Sequence, residues 1–134
     1  MKPTQAWEGV RLYQADSLPA LQMLPDNSVT AVLTDPPYNL GIKYDSNDDE
    51  RRDYEEWCRQ WFEECLRVSS GPVCFSCGHA NIGMWYRIKE PYTLLCWYKP
   101  GAMSRVKIGF NNWEPVLLYG RLDSKNYTDV IKAV

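Results

Sequence analysis

Short apolar runs alternate with polar turns along most of this chain, and one long apolar stripe at helical spacing interrupts them. Val10 to Gln14 leans apolar and predicts a strand ending at Ala15-Asp16. Ser17 then stands as a helix N-cap with Pro19 in the first turn, where a missing N–H does no harm. Leu18, Leu21 and Leu24 give that helix a short apolar face. Pro25 to Ser28 is a turn cluster, and Val29 to Thr34 predicts a buried strand that stops at Asp35. The strongest period covers Asp53 to Val68. There Tyr54, Trp57, Cys58, Trp61, Phe62, Cys65 and Val68 recur on one helical face, with Asp53 and Glu56 as a capping box. An aromatic stripe of this kind predicts packing against a sheet.

Ser69-Ser70-Gly71-Pro72 stops the long helix. Val73 to Ser76 predicts a short central strand, Asn81 to Lys89 a weaker helix, Tyr92 to Tyr98 a fourth strand and Glu114 to Tyr119 a fifth. Leu40 to Arg52 is acidic and without period, so residues 40–52 are expected to be a mobile loop ordered by ligand. Lys99 to Asn112 is expected to be a basic loop, and 121–134 a tail of no clear pattern. Strands separated by helices, until a final pair joined without one, predict an α/β domain. Its sheet is expected to be mainly parallel with an antiparallel last strand, and with helices on both faces. At 134 residues the chain is sized for a single domain, 1–134, with one core.

Composition changes this picture in three places. The net charge of −2 hides an asymmetry: residues 1–84 hold 7 basic and 13 acidic side chains, residues 85–134 hold 8 basic and 4 acidic. A basic second half is compatible with a phosphate backbone and equally with a solvated face. Five cysteines, an odd number spread through predicted elements, point to reduced thiols and not to a disulfide framework. Cys74 and Cys77 with His79 have no second cysteine pair, so no metal site is expected. No signal segment and no apolar run near the ~20 residues of a membrane span is present, which leads to the expectation of a soluble, cytoplasmic protein.

Candidate chemistry concentrates where the second strand stops, at Asp35-Pro36-Pro37-Tyr38-Asn39. Two prolines fix φ near −65° and donate no hydrogen bond, so the loop is rigid and its carbonyls lie outside the ladder. A carboxylate, a fixed carbonyl and an aromatic ring at the carboxyl end of a strand suit a flat molecule carrying an NH2 group, and in an open α/β sheet that edge binds ligands.

The ordered set of these pieces resembles the DNA amino-methyltransferases that modify adenine N6 or cytosine N4, in the permuted order that places the catalytic half first. The pieces are Ala15-Asp16-Ser17-Leu18 with Leu24 to Val29, then Thr34 to Asn39, the acidic loop, Tyr54 and Trp57 opening an aromatic helix, Arg67-Val68 before Gly71, Trp97 with Lys99, and Glu114 in a late strand. They cover roughly residues 9 to 120. The resemblance implies a Rossmann-like sheet, S-adenosylmethionine as methyl donor, and double-stranded DNA from which the target base is flipped. It implies that Asp35 and the Pro36 carbonyl accept from the base amine, with Pro37 in the rigid loop and Tyr38 stacking on the base. Asp16 matches a family acid that bonds the cofactor's adenine, and an acid favoured at a helix N-terminus reads equally well there. Asp35 would also adjoin the cofactor. Asn39, Lys99, Arg105 and Lys107 would contact DNA. Asp, not Ser, at the first loop position tilts the base to adenine.

The family's glycine-rich cofactor turn, Phe-x-Gly-x-Gly, has no counterpart, since no two of the eight glycines are spaced Gly-x-Gly. The expectation is a chain cut before its target-recognition region and cofactor-binding half. The strand at Val10 would then lack its usual neighbours, and self-association or its displacement is expected. Two further readings stand beside a methyltransferase part: an inactive remnant that binds DNA or a partner, and a half-enzyme completed in trans by a cofactor-binding chain.

Overall fold

The computed structural model describes residues 2–41, 49–101, 104–106, 109–120 and 130–132, and at 104–106, 110 and 132 only the backbone. In chain order the elements are β1 (Gln5–Trp7), β2 (Val10–Leu12), α1 (Ser17–Gln22), β3 (Val32–Thr34), α2 (Tyr54–Val68), β4 (Val73–Ser76), a 3-10 turn (His79–Asn81), α3 (Ile82–Ile88), β5 (Thr93–Tyr98), β6 (Ser104–Val106), β7 (Gly109–Asn111), β8 (Trp113–Tyr119) and β9 (Val130–Lys132).

Five strands form one sheet in the order β3-β4-β8-β5-β9. β3 pairs parallel with β4, and β9 parallel with β5, while β8 runs antiparallel to both β4 and β5. Four strands therefore point one way and β8 the other: the α/β sheet is mainly parallel as expected, but the reversed strand is the last but one, since β9 follows it and runs with the rest.

The stripe on α2 builds the core. Tyr54, Cys58, Trp61, Phe62, Cys65 and Val68 are all buried. Alternation along the strands places Val73, Phe75, Leu117 and Tyr119 on the face that meets them. Phe62 lies 4.5 Å from Tyr119, Trp61 5.2 Å from Phe75, and Trp85 of α3 4.5 Å from Phe75, all between ring centroids. α2 and α3 thus share one face. On the opposite face Leu33 of β3 is 82% exposed, with no described helix over it.

Tight connections set where β3 ends. The Arg67 guanidinium donates to the carbonyls of Leu21 (2.9 Å) and Leu24 (2.9 Å) and to Asp26 (2.6 Å) and Glu64 (2.7 Å), tying α2 to the turn before β3. A Cβ at Gly71 would stand 2.3 Å from the Thr30 carbonyl oxygen, so only glycine fits that crossing.

Several local expectations change. Asp16, not Ser17, is the N-cap of α1, its carboxylate accepting from the Leu18 N–H at 3.0 Å. The capping box at α2 does not form, because the Asp53 carboxylate is taken by the Arg51 guanidinium at 2.9 Å. The strand at Val10 pairs with β1 in a separate two-stranded hairpin and is displaced from the main sheet. The basic loop contains a second hairpin, β6–β7, and β9 within the tail joins the main sheet.

Candidate active site

The site begins at the carboxyl end of β3 and is held by four neighbouring elements. Thr34 is in register with Phe75 of β4, so the next residues along, Asp35 and Ser76, lie side by side. The Ser76 hydroxyl donates to Oδ1 of Asp35. The Tyr38 hydroxyl donates to the same oxygen at 2.9 Å and lies 3.5 Å from the Glu114 carboxylate on β8. Burial raises the Tyr38 phenol above its ordinary range, and the Asp35 carboxylate adds to that, so the hydroxyl remains a donor at neutral pH.

The rest of the loop is clamped through its backbone. The Tyr54 hydroxyl donates to the Pro37 carbonyl at 2.7 Å, and the Asn81 amide to the Tyr38 carbonyl at 2.6 Å. Asn39 adopts a left-handed conformation, φ 58°, which its short amide side chain tolerates. Its side chain exchanges two hydrogen bonds with the backbone of Arg51, at 2.6 and 3.1 Å. The buried Asp49 carboxylate receives the N–H groups of Asn39 and Leu40, each at 2.8 Å. After this accounting, Oδ2 of Asp35 and the carbonyl of Pro36 are among the loop acceptors that receive nothing from the described residues.

A cleft of about 300 Å³ opens beside the loop, between α1, β3 and α2. Ser17, Leu21, Val32 and Thr34 line it with Trp57, Trp61 and Cys65, and Asp35, Pro36 and Pro37 close one end. Its walls are mainly apolar with two indole rings, which suits a flat heterocycle, and the exposed Asp35 carboxylate suits a cationic centre. Asp16 is not among the lining residues and spends its carboxylate on the α1 cap.

The structure brings Asp35, Pro36, Pro37, Tyr38 and Asn39 together but uses Asn39 as a loop brace. Lys99 follows β5 near the site, with its ammonium 2.6 Å from Glu114 and 3.7 Å above the Trp97 ring centroid. Arg105 lies on β6 opposite Phe110, its side chain outside the described residues, and Lys107 lies outside them altogether. Of the acidic stretch expected to be mobile, residues 42–48 lie outside the description, while its ends meet where the Gly41 N–H donates to the Asp49 carbonyl at 3.1 Å. Ser76, Asn81 and Asp49 escaped sequence reasoning. Ser76 was recoverable from the β3–β4 register, and the other two had no local signal.

A mixed α/β sheet with a carboxylate and a rigid carbonyl on the loop leaving a strand's carboxyl end is a Rossmann-like ligand-binding architecture. The family model N6_N4_Mtase, described as DNA methylase, matches residues 29–133, and the chain belongs to that family. It is similar to the type II methyltransferase M.HpaI of Haemophilus parainfluenzae, 38% identical over 84 residues, 60% of this chain and 27% of the relative. It is also similar to M.BamHI of Bacillus amyloliquefaciens, 34% identical over 107 residues, 77% of this chain and 22% of the relative. This chain thus spans about a quarter of the length of these curated relatives. Among solved structures, the cytosine-N4-specific PvuII DNA methyltransferase shares the fold with a TM-score of 0.65 at 13% identity, over 92% of this chain and 56% of that one.

Proposed function

We propose that this chain supplies the base-gripping part of a DNA amino-methyltransferase that uses S-adenosylmethionine, with adenine N6 the favoured target. One observation carries the reading: in a loop whose Pro37 and Tyr38 carbonyls are clamped by Tyr54 and Asn81, Asp35 Oδ2 and the neighbouring Pro36 carbonyl are left as acceptors. An exocyclic amine is a poor nucleophile because its lone pair is delocalised into the ring. Two acceptors on its N–H bonds draw the nitrogen toward tetrahedral geometry and free the lone pair, which is catalysis by positioning and electrostatics.

S-adenosylmethionine supplies the electrophilic methyl group, and Trp57, Trp61 and Leu21 are the residues that would hold it in the cleft. When bound it would give up its methyl group to the base amine with loss of the carbon–sulfur bond, and the proton the amine sheds would pass to water beside the exposed Asp35 carboxylate. Asp35 and Pro36 keep the amine aligned, and the Tyr38 ring stacks on the flipped base, offsetting part of the unstacking cost. Lys99, Arg105 and Lys107 serve the DNA backbone. Asp35 at the first loop position favours adenine over cytosine.

The outer edge of β3 has no partner among the described residues, which favours completion by a second chain or copy docking there. No described helix is long and apolar enough to cross a membrane, in keeping with work on DNA in the cytoplasm of a bacterial or bacteriophage-infected cell. Transfer of a radiolabelled methyl group to unmethylated DNA, by the chain alone and with a cofactor-binding chain added, tests the proposal. Digestion of the product to nucleosides separates N6-methyladenine from N4-methylcytosine. Absence of transfer under both conditions would overturn it.

A further inference from the structure

We infer that Ser76 is a positioning residue for methyl transfer: its hydroxyl and that of Tyr38 occupy Oδ1 of Asp35 and so assign Oδ2 to the substrate amine. The inference rests on the proposed grip of an amine by Asp35 and Pro36. The register makes the neighbourhood obligatory. Val32, Leu33 and Thr34 pair with Val73, Cys74 and Phe75 in parallel, so one more step along both strands sets Asp35 beside Ser76, on the face away from Phe75. Ser76 is 5% exposed, so water competes poorly for its hydroxyl. A hydroxyl donating to a carboxylate is a charge-assisted bond, stronger than one between neutral groups.

The bond answers no need of Asp35 itself. That residue is exposed, and water would satisfy its carboxylate. What two donors on one oxygen do change is orientation. The terminal torsion of an aspartate is broad and nearly two-fold, so an untethered carboxylate presents either oxygen over a wide arc. With Oδ1 fixed from the β4 side by Ser76 and from the loop side by Tyr38, Oδ2 is the oxygen left for a ligand. Tyr38 has a second carboxylate at 3.5 Å and a ring that the base takes up, whereas Ser76 on the interior strand β4 has neither. Ser76 is therefore the constant member of the pair.

The test compares the full chain with Ser76→Ala and Ser76→Thr in the methyl-transfer assay. Ser76→Ala is expected to lower kcat about 10- to 100-fold, the scale seen when a partner orienting a functional group is removed. KM for DNA should not move. Ser76→Thr, which keeps the hydroxyl, should recover most of the rate. Unchanged kcat in Ser76→Ala, or an equal loss in Ser76→Thr, would overturn the inference. If the unaltered chain transfers no methyl group either alone or with a cofactor-binding chain added, the parent reading fails by itself. A double-mutant cycle of Ser76→Ala with Asp35→Asn in chemical denaturation then decides for Ser76: about tenfold coupling in the unfolding constant supports the bond, and additivity overturns it.

Discussion

The Asp49 carboxylate and the backbone of Asn39 are joined by a 2.8 Å hydrogen bond, and the same carboxylate takes the next N–H, of Leu40, at 2.8 Å. One buried side chain thereby holds the exit of the loop that carries Asp35, ten residues away in sequence from Asn39. Removing it strands two amides. Asp49→Ala should destabilise the chain by about 1–3 kcal/mol, the scale of a lost partner to a charged group. Amide hydrogen exchange at Asn39 and Leu40 should rise far more than exchange in β4 or β8. Equal protection in the variant would show that the clamp is incidental.

The core depends on Trp61, which touches Phe62, Phe75 and Trp85 in edge-on contacts 5.2–6.3 Å between centroids. Trp61→Ala should lose about 3–5 kcal/mol in chemical denaturation. That is enough to threaten a domain of ordinary marginal stability. A loss below 1 kcal/mol would mean that α2 is not the keystone of the sheet face.

Much of this was legible in advance because period-2 and period-3.6 patterns report burial directly. The stripe from Tyr54 to Val68 and the run Val73–Ser76 appear in the structure at almost the expected bounds. The reversed direction of β8 followed from the missing helix before it. What local pattern does not encode is which groups compete for a partner. Arg51 takes the Asp53 carboxylate from its capping role, and Asp16 outcompetes Ser17 at the α1 cap. The hairpin of β1 with β2 likewise depends on which pairing is on offer, since Trp7, Val10 and Leu12 remain exposed there. In the site, Asp35 to Tyr38 stood out because two prolines are rare at a strand end. Ser76, Asn81 and Asp49 approach from distant positions and became visible only once register and loop closure were known.

Alkaline pH should weaken the fold. Burial pushes the Cys58 and Cys77 thiols up to about 12 and Cys65 to about 11, from an ordinary value of 9.0. Groups with raised folded values bind their protons more tightly when folded. Their stabilisation is complete below about pH 9 and is lost as pH rises toward 12. Denaturation midpoints should hold to about pH 9 and then fall, while the three thiols stay unreactive to a disulfide reagent at pH 8. Rapid labelling of all five cysteines in the folded chain would contradict this.

Lys99 is expected to act through the site as much as through DNA charge. Its ammonium neutralises Glu114, which lies within reach of the Tyr38 hydroxyl. Lys99→Met should reduce turnover and also lower by about 1 the slope of DNA affinity against salt. A salt slope lowered by about 1 with turnover intact would assign it to phosphate contact alone.

The central claim is that Asp35 and the Pro36 carbonyl grip an exocyclic amine for methyl transfer. The most direct measurement is methyl transfer by Asp35→Ala beside the unaltered chain, each alone and with a cofactor-binding chain, after denaturation curves show both fully folded under the assay conditions. The expected result is transfer by the unaltered chain and none above background by the variant. Transfer by Asp35→Ala at the unaltered rate would contradict the account.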